Sequence, residues 1–187
     1  MSEEAVIKHC SPTLAGLKTG NIFNFFYPDR ASLRNAVRAW NMKLRGKGIR
    51  VIPLRYTDGD ALIYLFRPSM LKRDMKDDEA CRILEERGYA PHACESCVVH
   101  LIRRLKEKGE FPHEIGLFLG YPPEDVDGFI KNKACDFKCA GYWKVYGDRE
   151  RAEKTFSRYK KCTRIYSDRW SSGTSIDRLT VRKTSFN

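Results

Sequence analysis

The chain has 187 residues, 42% of them hydrophobic, and a formal net charge of +11. That is enough chain and apolar content for one domain with its own core. No run of eighteen apolar residues occurs, and MSEEAVIKHC lacks a basic stretch followed by an apolar one, so neither a membrane span nor a signal peptide is predicted and the protein is expected in the cytoplasm.

Seven cysteines without a secretory signal read as reduced thiols, several of them buried as small hydrophobes. The charge is unevenly spread. Residues 28–73 carry eleven basic and three acidic groups, residues 149–187 eleven and four, and the middle of the chain is slightly acidic. Two basic blocks of this kind are a footprint for nucleic acid or another polyanion, or the solvated faces of ordinary helices.

Residues 3–9 read as a short helix that His9-Cys10-Ser11-Pro12 interrupts. NIFNFF (21–26) reads as a strand. Asp29 is placed to cap a helix over about 30–46, with Leu33, Val37, Trp40 and Leu44 as its buried stripe. Arg30, Arg34, Arg38 and Arg45 form a basic ridge on another face, the candidate polyanion contact. Residues 49–56 and 61–66 read as strands joined by an Asp-Gly turn, an antiparallel hairpin. Strand, helix, strand, strand is the opening of a ferredoxin-like or related split βαβ sheet.

Three helices follow, at about 68–73, 76–87 and 91–108. The last holds Cys94, Cys97 and His100 at a spacing that invites a metal reading. A mid-helix position and the absence of a local fourth ligand argue against it, and no metal site is assigned. Cys135 and Cys139, in another segment, are the thiols that could meet them in a four-Cys or three-Cys-one-His arrangement. Residues 141–146 alternate as a fourth strand, a helix follows from Arg149 to about Thr163, and the Ser/Thr-rich stretch 167–187 reads as a flexible tail.

Between these lies the densest pattern, residues 111–148. Pro112 opens a short helix, Gly120 ends it, and Pro122-Pro123 with Glu124, Asp125 and Asp127 starts another whose apolar face is Val126, Phe129 and Ile130. The pair resembles a helix-turn-helix, but an acidic first turn is repelled by phosphate, so a helical hairpin packed on the core is expected instead.

FPHEIGLFLGYPPEDVDGF, GYWKVYGD and HCSPTLAGLKTGNIF together resemble a bacterial family called domain of unknown function 3793, over about residues 8–166. The resemblance implies no activity or cofactor. It singles out His9, Cys10, Lys18, His113, Glu114, Tyr121, Trp143 and Lys144, which lie in its motif blocks.

The expected architecture is α+β. One domain of residues 1–166 has a small, mostly antiparallel sheet of 21–26, 49–56, 61–66 and 141–146, with a helical insertion at about 68–131. The expected function is to bind, or bind and transform, a small anionic ligand in a pocket near the His113 segment. Cys10, His113 and Glu114 are the candidate catalytic groups. His9, Lys18, Tyr121, Trp143, Lys144 and Tyr146 are the candidate ligand contacts, the aromatics as walls and the lysines meeting the anion. Alternatives are polyanion binding through the arginine ridge and an adaptor role using the basic faces and tail. Glycine-rich nucleotide loops, a serine elbow and an H-E-x-x-H pattern are all missing, so the commonest enzyme classes have no support.

Overall fold

A computed structural model of the chain describes residues 1–57, 59–107 and 109–182. In chain order its elements are α1 (Glu3–Leu14), β1 (Gly20–Phe26), α2 (Arg30–Leu44), a 3₁₀ turn (Arg45–Lys47), β2 (Arg50–Tyr56), β3 (Asp60–Phe66) and α3 (Pro68–Asp74). There follow α4 (Asp78–Glu85), α5 (Cys94–Arg104), α6 (Ile115–Phe118), α7 (Pro123–Lys131), β4 (Cys139–Ala140), β5 (Lys144–Val145), α8 (Arg149–Ser171) and α9 (Ile176–Leu179). The fold is α+β. Its residues group into two compact units, Met1–Ser69 with Tyr159–Asn187 and Met70–Arg158. Residues 70–131 of the expected insertion at about 68–131 lie in the second unit, which runs on to Arg158. Among the described residues no helix is long and apolar enough to cross a membrane.

Unit 1 is built on a split βαβ. Strands β1 and β2, joined through α2, flank β3, and both pair with it antiparallel in the order β1-β3-β2. Alternation along β3 turns Ala61, Ile63 and Leu65 into the core, where Val6, Leu14 and Trp40 meet them. Asp29 caps α2 as its position dictates, accepting from the Ser32 amide at 2.8 Å. Asn41, on the same helix, donates to the Val51 carbonyl at 2.6 Å and accepts from the Val51 amide at 2.9 Å. One amide side chain thus satisfies both backbone groups of Val51 on the outer edge of β2, as a residue of a further strand would. The hairpin turn passes Gly59 at φ 89°; Asp58 of the expected Asp-Gly signal lies outside the described residues.

Three expectations are corrected here. First, α1 does not stop before Pro12 but continues to Leu14, with the Ser11 hydroxyl donating to the Ile7 carbonyl. A proline in the last turn forfeits only one ladder bond, and the Ser11 hydroxyl offers the chain a local replacement. Second, residues 141–146 do not join the main sheet. Only Lys144–Val145 is extended, and it pairs with Cys139–Ala140 in a two-residue ladder of its own. Third, 167–182 is no loose tail: α8 continues to Ser171, and Ile176 and Leu179 of α9 are 0% and 7% exposed in the unit 1 core. Residues 183–187 of the expected tail, and Lys108 at the expected end of the third helix, lie outside the described residues.

Arg67 fastens this end of the chain. It is fully buried, and its guanidinium donates to the carbonyls of Thr13, Leu14, Lys47 and Val181 at 2.7–3.0 Å. Two of those acceptors are the last carbonyls of α1, where the helix dipole favours a cation.

Unit 2 is mainly helical. Asp77 caps α4 by accepting from the amides of Glu79 and Ala80. Gly120, at φ 75°, turns the chain between α6 and α7 as a left-handed residue should. The hairpin closes tightly because Gly116 lacks a side chain: a Cβ there would lie 2.8 Å from Val126 Cγ2. Asp125 and Asp127 of α7 are 3% and 8% exposed, so this helix presents no free first turn to a DNA groove.

The units differ sharply in charge. Unit 1 holds 18 of the 35 basic residues and 7 of the 24 acidic ones, whereas unit 2 holds 17 of each. The whole excess of +11 therefore sits on unit 1.

Candidate functional site

The α6–α7 hairpin and the β4–β5 ladder of unit 2 enclose a cavity of about 170 Å³. Four residues picked out by the sequence line it together: His113, Tyr121, Trp143 and Lys144. Asp125 and Phe129 complete the ring of functional side chains.

Asp125 is the joint of the site. Its Oδ1 accepts from the backbone amides of Tyr146 and Gly147, both at 2.7 Å, and its Oδ2 accepts from Trp143 Nε1 at 2.6 Å. A carboxylate with three N–H donors holds the GYWKVYGD segment against α7 by strong, charge-assisted bonds. Glycine permits the contact, since a Cβ at Gly147 would meet Glu124 Cγ at 2.6 Å. Sequence reading took Asp125 only as acid at a helix start; nothing in its spacing announces a partner 18 residues away.

The walls are aromatic. Tyr121 lies 4.9 Å from Trp143 between ring centroids, and Phe156 meets the indole edge-on at 4.5 Å. His113 packs on Phe129 at 4.8 Å, and its Nε2 lies 3.7 Å from the exposed Glu110 carboxylate. The Lys144 ammonium donates to the Ala134 carbonyl at 2.7 Å and sits 4.6 Å from the Phe137 ring centroid. Lys144 thus brings a cation to the lining, steadied by a carbonyl and a π face, while the Asp125 carboxylate of the same lining is taken up by its three N–H donors. The volume resembles that of cavities known to accept a single six-membered ring.

The other candidates lie elsewhere. Glu114 follows His113 in sequence but faces away, 2% exposed, accepting from the Tyr89 hydroxyl at 2.9 Å and lying 3.6 Å from Arg104 and 3.9 Å from Arg87. It forms no acid–base pair with His113. Burial, with the Glu114 charge beside it, pushes the Tyr89 phenol far above its ordinary range. Tyr146 was expected in the wall, but its ring covers Gly128, where a Cβ would lie 2.4 Å from Tyr146 Cγ, and its buried hydroxyl has no hydrogen-bond partner among the described residues.

His9, Cys10 and Lys18 belong to unit 1 and do not line this cavity. His9 stacks on Phe23 at 5.7 Å. Cys10 is fully buried, and burial drives its thiol well above the usual range, the opposite of an activated nucleophile. Lys18 is 3% exposed; burial lowers its pKa to about 7, against a smaller opposing influence from Cys10. Arg30, Arg34, Arg38 and Arg45 are all exposed, with the Arg30 guanidinium 5.8 Å from the Tyr56 ring centroid.

Cys94, Cys97 and His100 do not assemble a metal site. The Cys97 thiol is engaged with the Ala90 carbonyl at 3.1 Å, and His100 stacks on Tyr89 at 4.2 Å. Among the described residues no three His, Cys, Asp or Glu side chains converge to hold an ion.

No curated protein and no solved structure matches the chain. One family model does, described as "Protein of unknown function (DUF3793)", over residues 6–180. That span reaches from α1 through α9 and takes in both units, so the chain belongs to the DUF3793 family.

Proposed function

We propose that the protein binds a small anionic ligand with a planar ring, and that the ring lies in the unit 2 cavity against Trp143 and Tyr121. The observation that carries this reading is the convergence of His113, Tyr121, Trp143 and Lys144 on one cavity of about 170 Å³. Concave, mostly apolar sites with a few polar groups are where small ligands bind. Lys144 favours an anion over a cation, and the aromatic pair favours a flat molecule. The test is native mass spectrometry of the protein purified under mild conditions. A bound mass released on denaturation, and lost in Trp143→Leu with the fold intact by circular dichroism, supports the reading. Equal occupancy in wild type and Trp143→Leu overturns it. All seven cysteines are unpaired thiols, which supports a reducing, cytoplasmic setting.

A second reading is favoured by the charge division: unit 1 binds a polyanion through Arg30, Arg34, Arg38 and Arg45. Placing the entire excess charge on one unit is what a phosphate backbone selects for. Retention on single-stranded DNA should fall steeply with salt and be lost when Arg34 and Arg38 are changed to Glu. Salt-independent retention, or none in wild type, excludes it.

A further inference from the structure

A second cavity, of about 330 Å³, adjoins the aromatic one within unit 2. It is lined by Arg87, Arg104, Glu114 and Lys133, and it shares His113 and Phe129 with its neighbour. His113 and Phe129 thus border both an aromatic chamber and a charged one.

The charged chamber has cationic donors to spare. Glu114 accepts from Tyr89, but Arg87 Nε and Arg104 Nη2 approach it only to 3.9 and 3.6 Å, beyond hydrogen-bonding distance. Arg87 donates elsewhere, to the Ile83 carbonyl at 2.8 Å. Arg104 does not: it is ion-paired with Glu114 at 3.6 Å, and among the described residues its five N–H groups make no hydrogen bond. Glu110, the other acid on the lining, has an 84% exposed side chain and faces His113. A planar guanidinium with its fork open in a concave site is the receptor geometry for a carboxylate or phosphate.

The rim is held in an unfavourable conformation. Lys133 and Ala134 take φ of 48° and 64°, left-handed backbone that a Cβ resists. The Ala134 carbonyl is the acceptor for Lys144, so the lysine of the aromatic chamber pins the strained rim of the charged one. Such strain gathers where a site must be kept in shape.

We infer that the second cavity is an oxyanion subsite: Arg104, with Lys133 at the rim, takes the carboxylate or phosphate of the ligand whose ring lies in the aromatic chamber. This rests on the reading of that chamber given above, and it names the ligand class as a single aromatic or heteroaromatic ring bearing an oxyanion.

The test uses full-length protein labelled with 5-fluorotryptophan, whose three ¹⁹F signals are assigned with Trp143→Phe. Benzyl alcohol supplies the ring alone; benzoate and phenyl phosphate supply ring and oxyanion. All three should move the Trp143 signal. One of the anionic probes should bind at least about tenfold more tightly than benzyl alcohol, and which one does so distinguishes carboxylate from phosphate. Arg104→Gln should remove that advantage and leave benzyl alcohol unchanged. An anionic advantage undiminished in Arg104→Gln overturns the subsite and leaves the aromatic chamber with its Lys144 standing; equal affinity for charged and uncharged probes overturns the subsite and the anionic character of the ligand together. A Trp143 signal that no ring probe moves overturns the chamber and the subsite together. Should Arg104→Gln fail to fold, Lys133→Asn decides, since asparagine tolerates left-handed backbone. A reduction of the anionic advantage by about threefold sustains the subsite, and an unchanged advantage overturns it.

Discussion

Trp143 Nε1 donates to Asp125 Oδ2 at 2.6 Å, and the same carboxylate takes two backbone amides through its other oxygen. The indole that walls the cavity is therefore positioned by a side chain from α7. Asp125→Ala should cost about 3 kcal/mol, the scale of losing a multiply bonded buried carboxylate. For a chain of this size that is a fall in Tm of about 6–12 °C. Thermal unfolding measures it, and the Trp143 indole N–H resonance should move towards that of solvent-exposed tryptophan. An unmoved resonance would show that Asp125 does not position the ring.

Gly128→Ala sets two effects against each other. Alanine in a helix is worth about 0.5–1 kcal/mol over glycine. Its Cβ, however, would stand 2.4 Å from Tyr146 Cγ, and overpacking of that kind costs about 1–3 kcal/mol. The clash wins, so the denaturation midpoint should fall with little change in slope. A raised midpoint would mean that Tyr146 moves aside freely.

Lys18 gives stability an unusual pH dependence. Its folded pKa is lowered by burial to about 7, from the ordinary lysine value of 10.5. Between those limits the unfolded chain holds a proton that the folded chain does not, so stability rises with pH through the window. Below about pH 7 both states are charged and the burial penalty is present in full. Cys10, whose thiol is raised by burial, works in the opposite direction once pH passes its unfolded value of 9.0, so pH 7–8.5 is free of the thiol, and the Met1 ammonium, lowered by burial from 8.0, adds a rise of the same sign there. Over that range Lys18 should make stability climb by up to about 1.4 kcal/mol per pH unit. Lys18→Met should flatten that climb and be more stable than wild type at pH 7. A flat wild-type profile would contradict the shift.

Arg67→Met should undo unit 1. It strips the Thr13 and Leu14 carbonyls of a buried donor and releases Val181, at about 3–5 kcal/mol. Ending the chain after Thr174 should do comparable damage by removing Ile176 and Leu179 from the core, at about 2 kcal/mol or more for each. Urea unfolding of both variants checks this. A truncated protein with wild-type stability would return residues 175–182 to the status of a tail.

What could be read in advance follows the range of the interactions involved. Asp29 as a cap, the periodicity of Leu33, Trp40 and Leu44, and the β2–β3 hairpin are local signals, and the structure carries them. The segment holding His113, Tyr121, Trp143 and Lys144 was legible because its motif is continuous enough to stand out. The partners were not. Asp125 with Trp143, Arg104 with Glu114, Asn41 with Val51 and Arg67 with Val181 each join residues 10 to 114 positions apart, and no period of 2 or 3.6 records such pairs. The stretch 167–182 was misread for a related reason: it is rich in Ser and Thr, while Ile176 and Leu179, with Thr180 beside them, are what it buries.

The division of unit 1 into Met1–Ser69 and Tyr159–Asn187 imposes an order of events at the ribosome. When Phe66 emerges, the strand face of Ala61, Ile63 and Leu65 has α1 and α2 for company but not Ile176 or Leu179. Translation at roughly 5–20 residues per second leaves that face incomplete for on the order of ten seconds. Collapse of a chain this size takes microseconds. For most of its synthesis the nascent protein therefore carries a half-covered sheet, and slowed translation across residues 70–158 should raise its demand for chaperones.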